Sequence, residues 1–323
     1  MNVRASTLVL LFAACGAHAA TDSGQMAVSN ESGVVQIAAP TLRDVPYGTH
    51  PKQVIHFWKA DSDRPAPLLV FIHGGGWTGG SRTDRRFCAL LPSMLKAGIS
   101  VASVEYRFIQ DAAAEKVEPP VKACLHDAAR AVQFIRSKAG EWNIDPSRIA
   151  LSGGSAGACS SLWLAFHDDL ADPKSADPVA RESTRVRCAA VAIAQTTLDP
   201  QQMREWTPNS VYGAHAFGIA GGRNTKAFDE FVARRETLLP WIAEYSPYAL
   251  VTKDDPPVYL SYGTPPALGK NQKDPTHTSN FGVKLQERCK EVGVACELAY
   301  PGAPGVMHKT VESYLIDELT AKK

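Results

Sequence analysis

The sequence has no excess of charge of either sign, with 34 Lys and Arg residues against 33 Asp and Glu residues in 323. Without a basic patch or an acidic tail, nucleic acid and anionic membrane surfaces are not expected as partners. No CxxC motif or clustered His/Cys spacing indicates a metal site, and no internal repeat or low-complexity tract is present. The remaining composition, 45% hydrophobic and 21% charged, is that of an ordinary globular protein.

Long apolar runs are also missing, but a short one lies near the start of the chain. Arg4 precedes the apolar residues 7–14, and residues 17–19 (AHA) fit the small-x-small rule for signal cleavage. The apolar run is too short to span a bilayer. We therefore predict that residues 1–19 are a signal peptide and that the protein is secreted or periplasmic. A lipoprotein anchored at Cys15 is the alternative, although the residues before it only approximate a lipobox.

Six cysteines follow the predicted signal peptide: Cys88, Cys124, Cys159, Cys188, Cys289 and Cys296. Export permits disulfides, but the sequence does not choose among the possible pairings. Cys289 and Cys296 flank a predicted helix-to-strand turn and are candidates for a pair. Cys159 and Cys188 lie in apolar runs, where buried free thiols are at least as well supported.

Residues 20–45 are polar and small and are interpreted as a leader, and residues 46–323 as one α/β domain. Strands are predicted at 53–58, 68–72, 99–106, 148–152, 188–194, 257–262 and 294–300. Helices are predicted at 84–97, 121–139, 156–168, 278–292 and 308–319. This alternation, with several continuous apolar strands, predicts a mostly parallel sheet with helices on both faces. Residues 199–247 interrupt it and are either a lid or a crossover with a decorated loop.

Two glycine-rich motifs come directly after predicted strands, where parallel sheets place their ligand sites. Residues 73–77 (HGGGW) allow backbone N–H groups to face a substrate oxygen, as an oxyanion hole requires. Residues 153–157 (GGSAG) form a G-x-S-x-G motif between a strand and a helix. This context indicates a nucleophile at Ser155, with the N–H of Ala156 as an oxyanion donor at the helix start. A structural turn is the alternative for either motif alone.

After a nucleophile of this type, an acid and then a histidine base follow along the chain. Four histidines come after Ser155: His167, His215, His277 and His308. We predict His308 as the base because it follows the last predicted strand.

Asp274 is predicted as the acid because it is the first carboxylate after the strand at 257–262. Asp199, after the preceding strand, is the second candidate. A helix-capping role for Asp274 is the alternative to catalysis.

The motifs at 73–77, 104–107 (VEYR), 153–157, 255–259 (DPPVY) and 300–302 (YPG) resemble secreted bacterial esterases of the α/β-hydrolase superfamily. The most similar groups are hormone-sensitive-lipase-like carboxylesterases and acetyl- or feruloyl-esterase-like enzymes, over about residues 45–320. The resemblance implies the α/β-hydrolase fold, Ser155 as nucleophile and His308 as base. It also implies Gly74, Gly75 and Ala156 as backbone oxyanion donors.

The chain departs from this family pattern in two loops. The acid of family members follows closely after the glycine that closes the penultimate strand, whereas an insertion separates Gly263 from Asp274. The base normally follows P-G-x almost directly, yet residues 303–307 precede His308. These enlarged loops either reshape the substrate pocket or place the acid elsewhere.

The expected function is hydrolysis of carboxylic esters with short acyl groups, plausibly acetyl or feruloyl on carbohydrate, through a Ser-His-Asp triad and an acyl-enzyme. The substrate is a small-molecule or polysaccharide ester, and no metal or organic cofactor is expected. Trp77, Trp206 and Tyr212 are candidates to stack on sugar or aromatic rings, with core packing as the alternative. An amidase similar to kynurenine formamidases, suggested by the HGGGW motif, and a non-catalytic binding module are the other hypotheses.

Overall fold

The computed structural model describes residues 25–30 and 33–321. The predicted signal peptide and Cys15 lie outside these residues. Within them, no helix has the length and apolar character needed to cross a bilayer.

The chain alternates strands and helices over most of its described length. The strands are β1 (Gln25–Asn30), β2 (Gly33–Ala38), β3 (Leu42–Pro46), β4 (Val54–Trp58), β5 (Ala66–Ile72), β6 (Ser100–Val104), β7 (Ile144–Gly154), β8 (Cys188–Ala192), β9 (Val258–Ser261) and β10 (Cys296–Ala299). The helices are α1 (Arg85–Lys96), α2 (Ile109–Ala114), α3 (Val121–Ser137), α4 (Ala139–Trp142), α5 (Ala156–Phe166), α6 (Pro200–Trp206), α7 (Thr225–Ala233), α8 (Arg235–Tyr245), α9 (Pro247–Leu250), α10 (Asn280–Val292) and α11 (Val311–Thr320).

Eight of the strands form one sheet in the order β10-β9-β8-β7-β5-β6-β4-β3. Strands β5 to β10 run parallel to one another, and β3 and β4 add an antiparallel edge. Every residue of β5 is buried, because apolar side chains of a parallel strand are covered on both faces. The predicted mostly parallel sheet is therefore confirmed.

Two apolar layers cover the two faces of the sheet. The larger layer contains side chains of α3, α5, α7, α8 and α10, and the smaller one contains side chains of α1 and α11. Helices on both faces are thus confirmed. The parallel strands all end at the same edge, and the loops that follow β5, β7, β8 and β9 meet there.

Most of the segment interpreted as a leader forms β-structure. Strands β1 and β2 pair as an antiparallel hairpin, and β3 pairs with β4 at the edge of the main sheet. Ile37 is buried in the smaller apolar layer, and the indole N–H of Trp58 donates to the carbonyl of Ala38 at 2.7 Å.

The six cysteines of the described chain are free thiols. Cys289 and Cys296, the candidates for a disulfide, are not bonded to each other covalently. Hydrogen bonding to Cys289, together with burial, raises the pKa of the Cys296 thiol.

Candidate active site

Ser155 lies in a sharp turn between β7 and α5. Its φ of 55° is a left-handed conformation that costs a non-glycine residue energy, and it holds the hydroxyl out of both elements. The turn is possible because its neighbours lack side chains. A Cβ atom at Gly153 or Gly157 would lie 2.4 Å or 2.0 Å from the carbonyl oxygen of Ile72.

The hydroxyl of Ser155 is hydrogen-bonded to a histidine that is in turn held by a carboxylate. The Oγ atom of Ser155 lies 2.9 Å from Nε2 of His277. The Nδ1 atom of the same ring lies 2.8 Å from Oδ2 of Asp274. This Ser–His–Asp arrangement is the geometry of a nucleophile with a general base and an orienting acid.

The electrostatics of Asp274 suit it to holding an imidazole. Burial alone would raise its pKa, but the hydrogen bond from His277 and backbone N–H groups outweigh burial and lower it. The N–H of Thr276 donates to its Oδ1 at 3.2 Å. The carboxylate is therefore ionised at neutral pH and fixed in orientation. Its side chain is also 62% exposed, so solvent screens it.

His308, the predicted base, does not lie beside Ser155. Glu297, within β10, accepts hydrogen bonds from the N–H groups of Met307 and His308 and contacts Nδ1 of the His308 ring at 2.7 Å. The Nε2 atom of this ring lies 3.2 Å from Asp317 on α11. These contacts fold the loop back onto the α11 face of the sheet, and α11 begins only at Val311. The predicted placement of His308 beside Ser155 is wrong, and His277 lies there instead.

The other candidate partners also have structural positions of their own. Asp199 caps α6 through the N–H of Gln201 and forms a two-pronged ion pair with Arg235 at 2.8 and 2.7 Å. His167 lies 3.1 Å from Glu244. His215 lies 3.1 Å from the carbonyl oxygen of Gly76 through its Nε2 atom. Asp274 is therefore the candidate acid that the structure brings to the site.

The enlarged loop after β9 carries both Asp274 and His277, and buried polar groups hold it in place. The Nε2 atom of Gln195, just beyond β8, donates to the carbonyl of Thr276 at 2.7 Å. The amide of Asn280 accepts from the N–H of Ala267 at 2.8 Å and donates to the carbonyl of Trp206 at 2.7 Å. The loop is thus tied to α6 and to the end of β8, next to the nucleophile.

The glycine-rich loop after β5 lies against the nucleophile turn. A Cβ atom at Gly74 would stand 2.6 Å from the carbonyl oxygen of Gly154 and 3.5 Å from Cβ of Ser155. In the described chain, the N–H groups of Gly74 and Gly75 donate to no backbone acceptor. The N–H of Ala156 is in the first turn of α5, where helices leave their N–H groups without an internal partner.

A buried network beneath this loop was not anticipated from the sequence. The Nε2 atom of His73 lies 2.8 Å from Glu105, which also accepts from Arg82 at 3.3 Å. Burial would raise the pKa of Glu105, but hydrogen bonding to His73 and the charge of Arg82 lower it. The hydroxyl of Tyr106 donates to the carbonyl of His73 at 2.8 Å. These contacts fix the first residue of the loop.

All three aromatic residues predicted to meet substrate lie in the apolar core instead. Trp77 is completely buried, and its indole N–H donates to Ser160 at 3.0 Å. Trp206 is 4% exposed and packs edge-on against Tyr248. Tyr212 is 2% exposed and packs against Trp77 of the glycine-rich loop. The three predictions are wrong because each ring is buried by core packing.

The described residues contain no group of three or more His, Cys, Asp or Glu side chains arranged to hold a metal ion.

Comparison with known families identifies the family of this chain. A family model described as BD-FAE matches residues 56–273, more than half of the chain. The chain belongs to the BD-FAE family. The matched range includes the glycine-rich loop and Ser155 and ends one residue before Asp274.

Individual relatives of this BD-FAE member are esterases by name. A probable isoprenylcysteine alpha-carbonyl methylesterase of Oryza sativa subsp. japonica is 33% identical over 120 residues, which are 36% of this chain and 26% of that protein. Esterase LipC of Mycobacterium tuberculosis is 31% identical over 119 residues, 36% of this chain and 27% of that protein. The chain thus spans about a quarter of the length of these relatives. The resemblance to α/β-hydrolase esterases is confirmed.

A solved structure supports the fold over a longer range. A truncated carbohydrate esterase from gut microbiota superimposes with a TM-score of 0.61 at 18% identity, covering 80% of this chain and 86% of that chain. At this identity the likeness concerns the fold, and it confirms the α/β-hydrolase fold of this BD-FAE family member.

One feature of the sequence, its spacing from Asp274, pointed to His277, but the order of residues along the chain did not distinguish it from His308. Both His277 and His308 follow Asp274, so the order Ser, acid, His does not separate them. The spacing Asp274-x-x-His277 in a loop places both side chains within reach of each other. Only the folded loop shows that they also reach Ser155.

Proposed function

We propose that this BD-FAE family member hydrolyses carboxylic esters with Ser155 as nucleophile, His277 as general base and Asp274 as the orienting acid. The hydrogen-bonded chain from Ser155 Oγ through the His277 ring to Asp274 carries this proposal. This triad differs from the one expected from the sequence only in its base, which is His277 instead of His308. Relatives named as esterases support the reaction class.

The mechanism follows from the positions of the three groups. Ser155 Oγ attacks the ester carbonyl carbon while His277 Nε2 removes its proton. The tetrahedral intermediate collapses to an acyl-serine, and the leaving alcohol takes the proton from His277. Water then attacks the acyl-serine with His277 again as base, releasing the acid and regenerating the serine. Asp274 stabilises the imidazolium that forms in each half-reaction.

The oxyanion of the intermediate would be held by backbone N–H groups. Gly74 lies against Ser155, and Ala156 follows Ser155 at the start of α5. In the described chain, the N–H groups of Gly74 and Gly75 donate to no backbone acceptor. Fixed donors of this kind stabilise negative charge as it develops, each by about 3 kcal/mol of activation free energy. We propose these three groups as the oxyanion hole.

For the substrate we propose esters of short acyl groups, such as acetyl or feruloyl esters of carbohydrates. The motif resemblance to acetyl- and feruloyl-esterase-like enzymes supports this choice. A panel of 4-nitrophenyl acyl esters, acetylated xylan, methyl ferulate and N-formylkynurenine tests it. Faster turnover of the formamide than of every ester would favour an amidase instead.

Labelling with a fluorophosphonate probe tests the nucleophile. The wild-type protein should react at one serine, and Ser155→Ala should lose both labelling and ester hydrolysis. Labelling of any other serine, or activity retained by Ser155→Ala, would overturn the proposal. A protein that never reacts would fit a binding module.

A matched pair of histidine variants tests the base. We expect His277→Ala to lower kcat by at least about 10³-fold, because loss of any member of a triad has effects of this size. His308→Ala should keep kcat within about twofold, since Glu297 and Asp317 hold it on the α11 face. The reverse result would restore His308 as the base.

Two carboxylate variants test the acid. Asp274→Asn should lower kcat by about 10²-fold or more while leaving thermal stability nearly unchanged, since its side chain is largely exposed. Asp199→Asn should instead lower stability, because Arg235 would lose its ion-pair partner near a helix start. Full kcat in Asp274→Asn would contradict its assigned role.

We also propose that the protein is exported and loses residues 1–19. The arrangement of Arg4, the apolar residues 7–14 and the AHA motif supports this. N-terminal sequencing of protein secreted by a bacterial host should begin near residue 20. Lipid attached at Cys15, shown by palmitate incorporation, would indicate an anchored form instead.

A further inference from the structure

We infer that Arg223 is a specificity-determining residue that selects ester substrates carrying a carboxylate. It lies in the insertion 199–247, between the short helical turn after Tyr212 and the start of α7. The inference rests on the proposed esterase function, whose substrate class it narrows.

Arg223 lies directly on the glycine-rich loop. Its Nη2 atom would be 3.2 Å from a Cβ atom at Gly76, so the guanidinium fills the space that the missing side chain leaves open. Gly74, two residues earlier in this loop, touches Ser155. Because neighbouring Cα atoms are 3.8 Å apart, the Cα atoms of Gly76 and Gly74 are at most about 7.6 Å apart. A substrate bound at Ser155 is therefore within reach of the guanidinium.

The guanidinium is held over an aromatic ring rather than by a carboxylate. Its Cζ atom lies 5.1 Å from the centroid of the Tyr212 ring, a cation–π contact. That ring is fixed by packing against Trp77 and His215. Stacking of this kind leaves the edge of the guanidinium, with its N–H donors, free to bind an oxygen anion in two-pronged fashion.

Arg223 differs in this respect from the other arginines of the insertion. Arg204 pairs with Asp229, Arg234 with Glu230 and Arg235 with Asp199. Within residues 33–321, no carboxylate lies within ion-pair distance of Arg223. The positive charge beside the glycine-rich loop is thus not neutralised by the protein.

The neighbouring His215 does not supply the positive charge beside the glycine-rich loop. Nε2 of His215 lies 3.1 Å from the carbonyl oxygen of Gly76. Burial, followed by the charge of Arg223, lowers the pKa of His215 to about 4, although the hydrogen bond to Gly76 opposes them. At neutral pH its Nε2–H donates to that carbonyl and fixes the loop, while Arg223 carries the charge.

A second arginine lies beside the turn that carries Ser155. The side chain of Arg86, at the start of α1, covers Gly154, and its Nε atom would be 3.0 Å from a Cβ atom there. It forms no ion pair with any described carboxylate. Arg86 adds to the positive potential near Ser155, but it lacks the aromatic platform that orients Arg223.

Two pairs of substrates, each matched in shape and differing in charge, test the inference. For a carboxylate on the acyl side, 4-nitrophenyl hemiglutarate is compared with 4-nitrophenyl valerate. For a carboxylate on the alcohol side, acetylated 4-nitrophenyl glucuronide is compared with the acetylated glucoside. The measured quantity is the ratio of kcat/KM for the anionic and the neutral member of each pair.

In the wild type we expect a ratio of at least about ten for one pair, because a hydrogen-bonded ion pair at a partly exposed site contributes on this scale. Arg223→Gln should reduce that ratio about tenfold, mainly through KM, whereas Arg234→Gln should preserve it. The preference should also weaken as salt is raised. The pair that shows it identifies the side of the ester that carries the carboxylate.

The outcomes separate this inference from the proposed function. The neutral esters could be hydrolysed in a reaction that depends on Ser155, while the anionic-to-neutral ratio of kcat/KM stays near one in both pairs. That result would overturn the inference but would leave the proposed esterase function in place. A preference abolished by Arg86→Gln but not by Arg223→Gln would also overturn it. Absence of hydrolysis of every ester would instead contradict the proposed function.

Discussion

His308 shows how the immediate surroundings of one residue decide what it does. Two carboxylates flank its ring, Glu297 at Nδ1 and Asp317 at Nε2. The hydrogen bond to Glu297 raises its pKa, with a smaller contribution from Asp317. A ring whose two nitrogens both contact carboxylates is poorly placed to act as a base, whereas it can stabilise the fold.

This residue should give the protein a pH-dependent contribution to stability. Because the pKa of His308 is raised from its ordinary value of 6.5, the stabilisation is fully present below that pH and is lost as the pH rises through the raised value. We expect His308→Gln to be less stable than the wild type by about 1 kcal/mol at pH 5.5, with the difference shrinking as the pH rises above 6.5. Thermal unfolding across this range measures it, and a difference independent of pH would contradict the explanation.

At the scale of elements, the β7–α5 turn depends on close contact between two backbones. The carbonyl oxygen of Ile72 at the end of β5 lies where a Cβ atom at Gly153 or Gly157 would go. Such close contact brings the glycine-rich loop, which begins at the next residue after Ile72, onto the nucleophile. The two motifs found in the sequence therefore belong to one packed unit.

Two glycine-to-alanine variants test this packing. In Gly157→Ala the new Cβ atom would lie 2.0 Å from the carbonyl oxygen of Ile72, so we expect a loss of about 3 kcal/mol or more and of most activity. Gly140, within α4, has no atom within 4 Å of its Cβ position. Gly140→Ala should therefore be neutral or stabilise the protein by up to about 1 kcal/mol. Urea unfolding of both variants provides the comparison.

For the whole molecule, the strands before residue 46 are part of the packed structure. Ile37 of β2 is 4% exposed and packs in the layer formed by α1 and α11. The carbonyl of Ala38 accepts the indole N–H of Trp58. The segment that contains β2 therefore covers part of the smaller apolar layer.

Removing the buried side chain should destabilise the whole fold. We expect Ile37→Ala to lower the free energy of unfolding by about 2 kcal/mol without changing the steepness of a single urea transition. Gln36→Ala, at the adjacent exposed position, should have little effect. Equal stability of the two variants would show that the segment does not pack as described.

The fold and the turn that carries Ser155 could be predicted because their signals are local. Continuous apolar strands alternating with helices indicated the parallel sheet, and the small residues around Ser155 indicated a turn that few other sequences allow. The glycine-rich loop could be recognised for the same reason, as residues 73–77 follow a buried strand directly. Each of these signals lies within a few neighbouring residues.

The histidine beside Ser155, the burial of the three candidate aromatic residues and the charge beside the site depended on tertiary structure. His277 and His308 both satisfy the chain order, and only the hydrogen bonds that tie the enlarged loop to Gln195 and Asn280 bring His277 to Ser155. An arginine that lacks a carboxylate, such as Arg223, cannot be distinguished in sequence from one that is paired. The sequence by itself determined the sheet and the sharp turn at Ser155, because those depend on neighbours along the chain. Tertiary structure decided the partners, because those come from loops far apart in sequence.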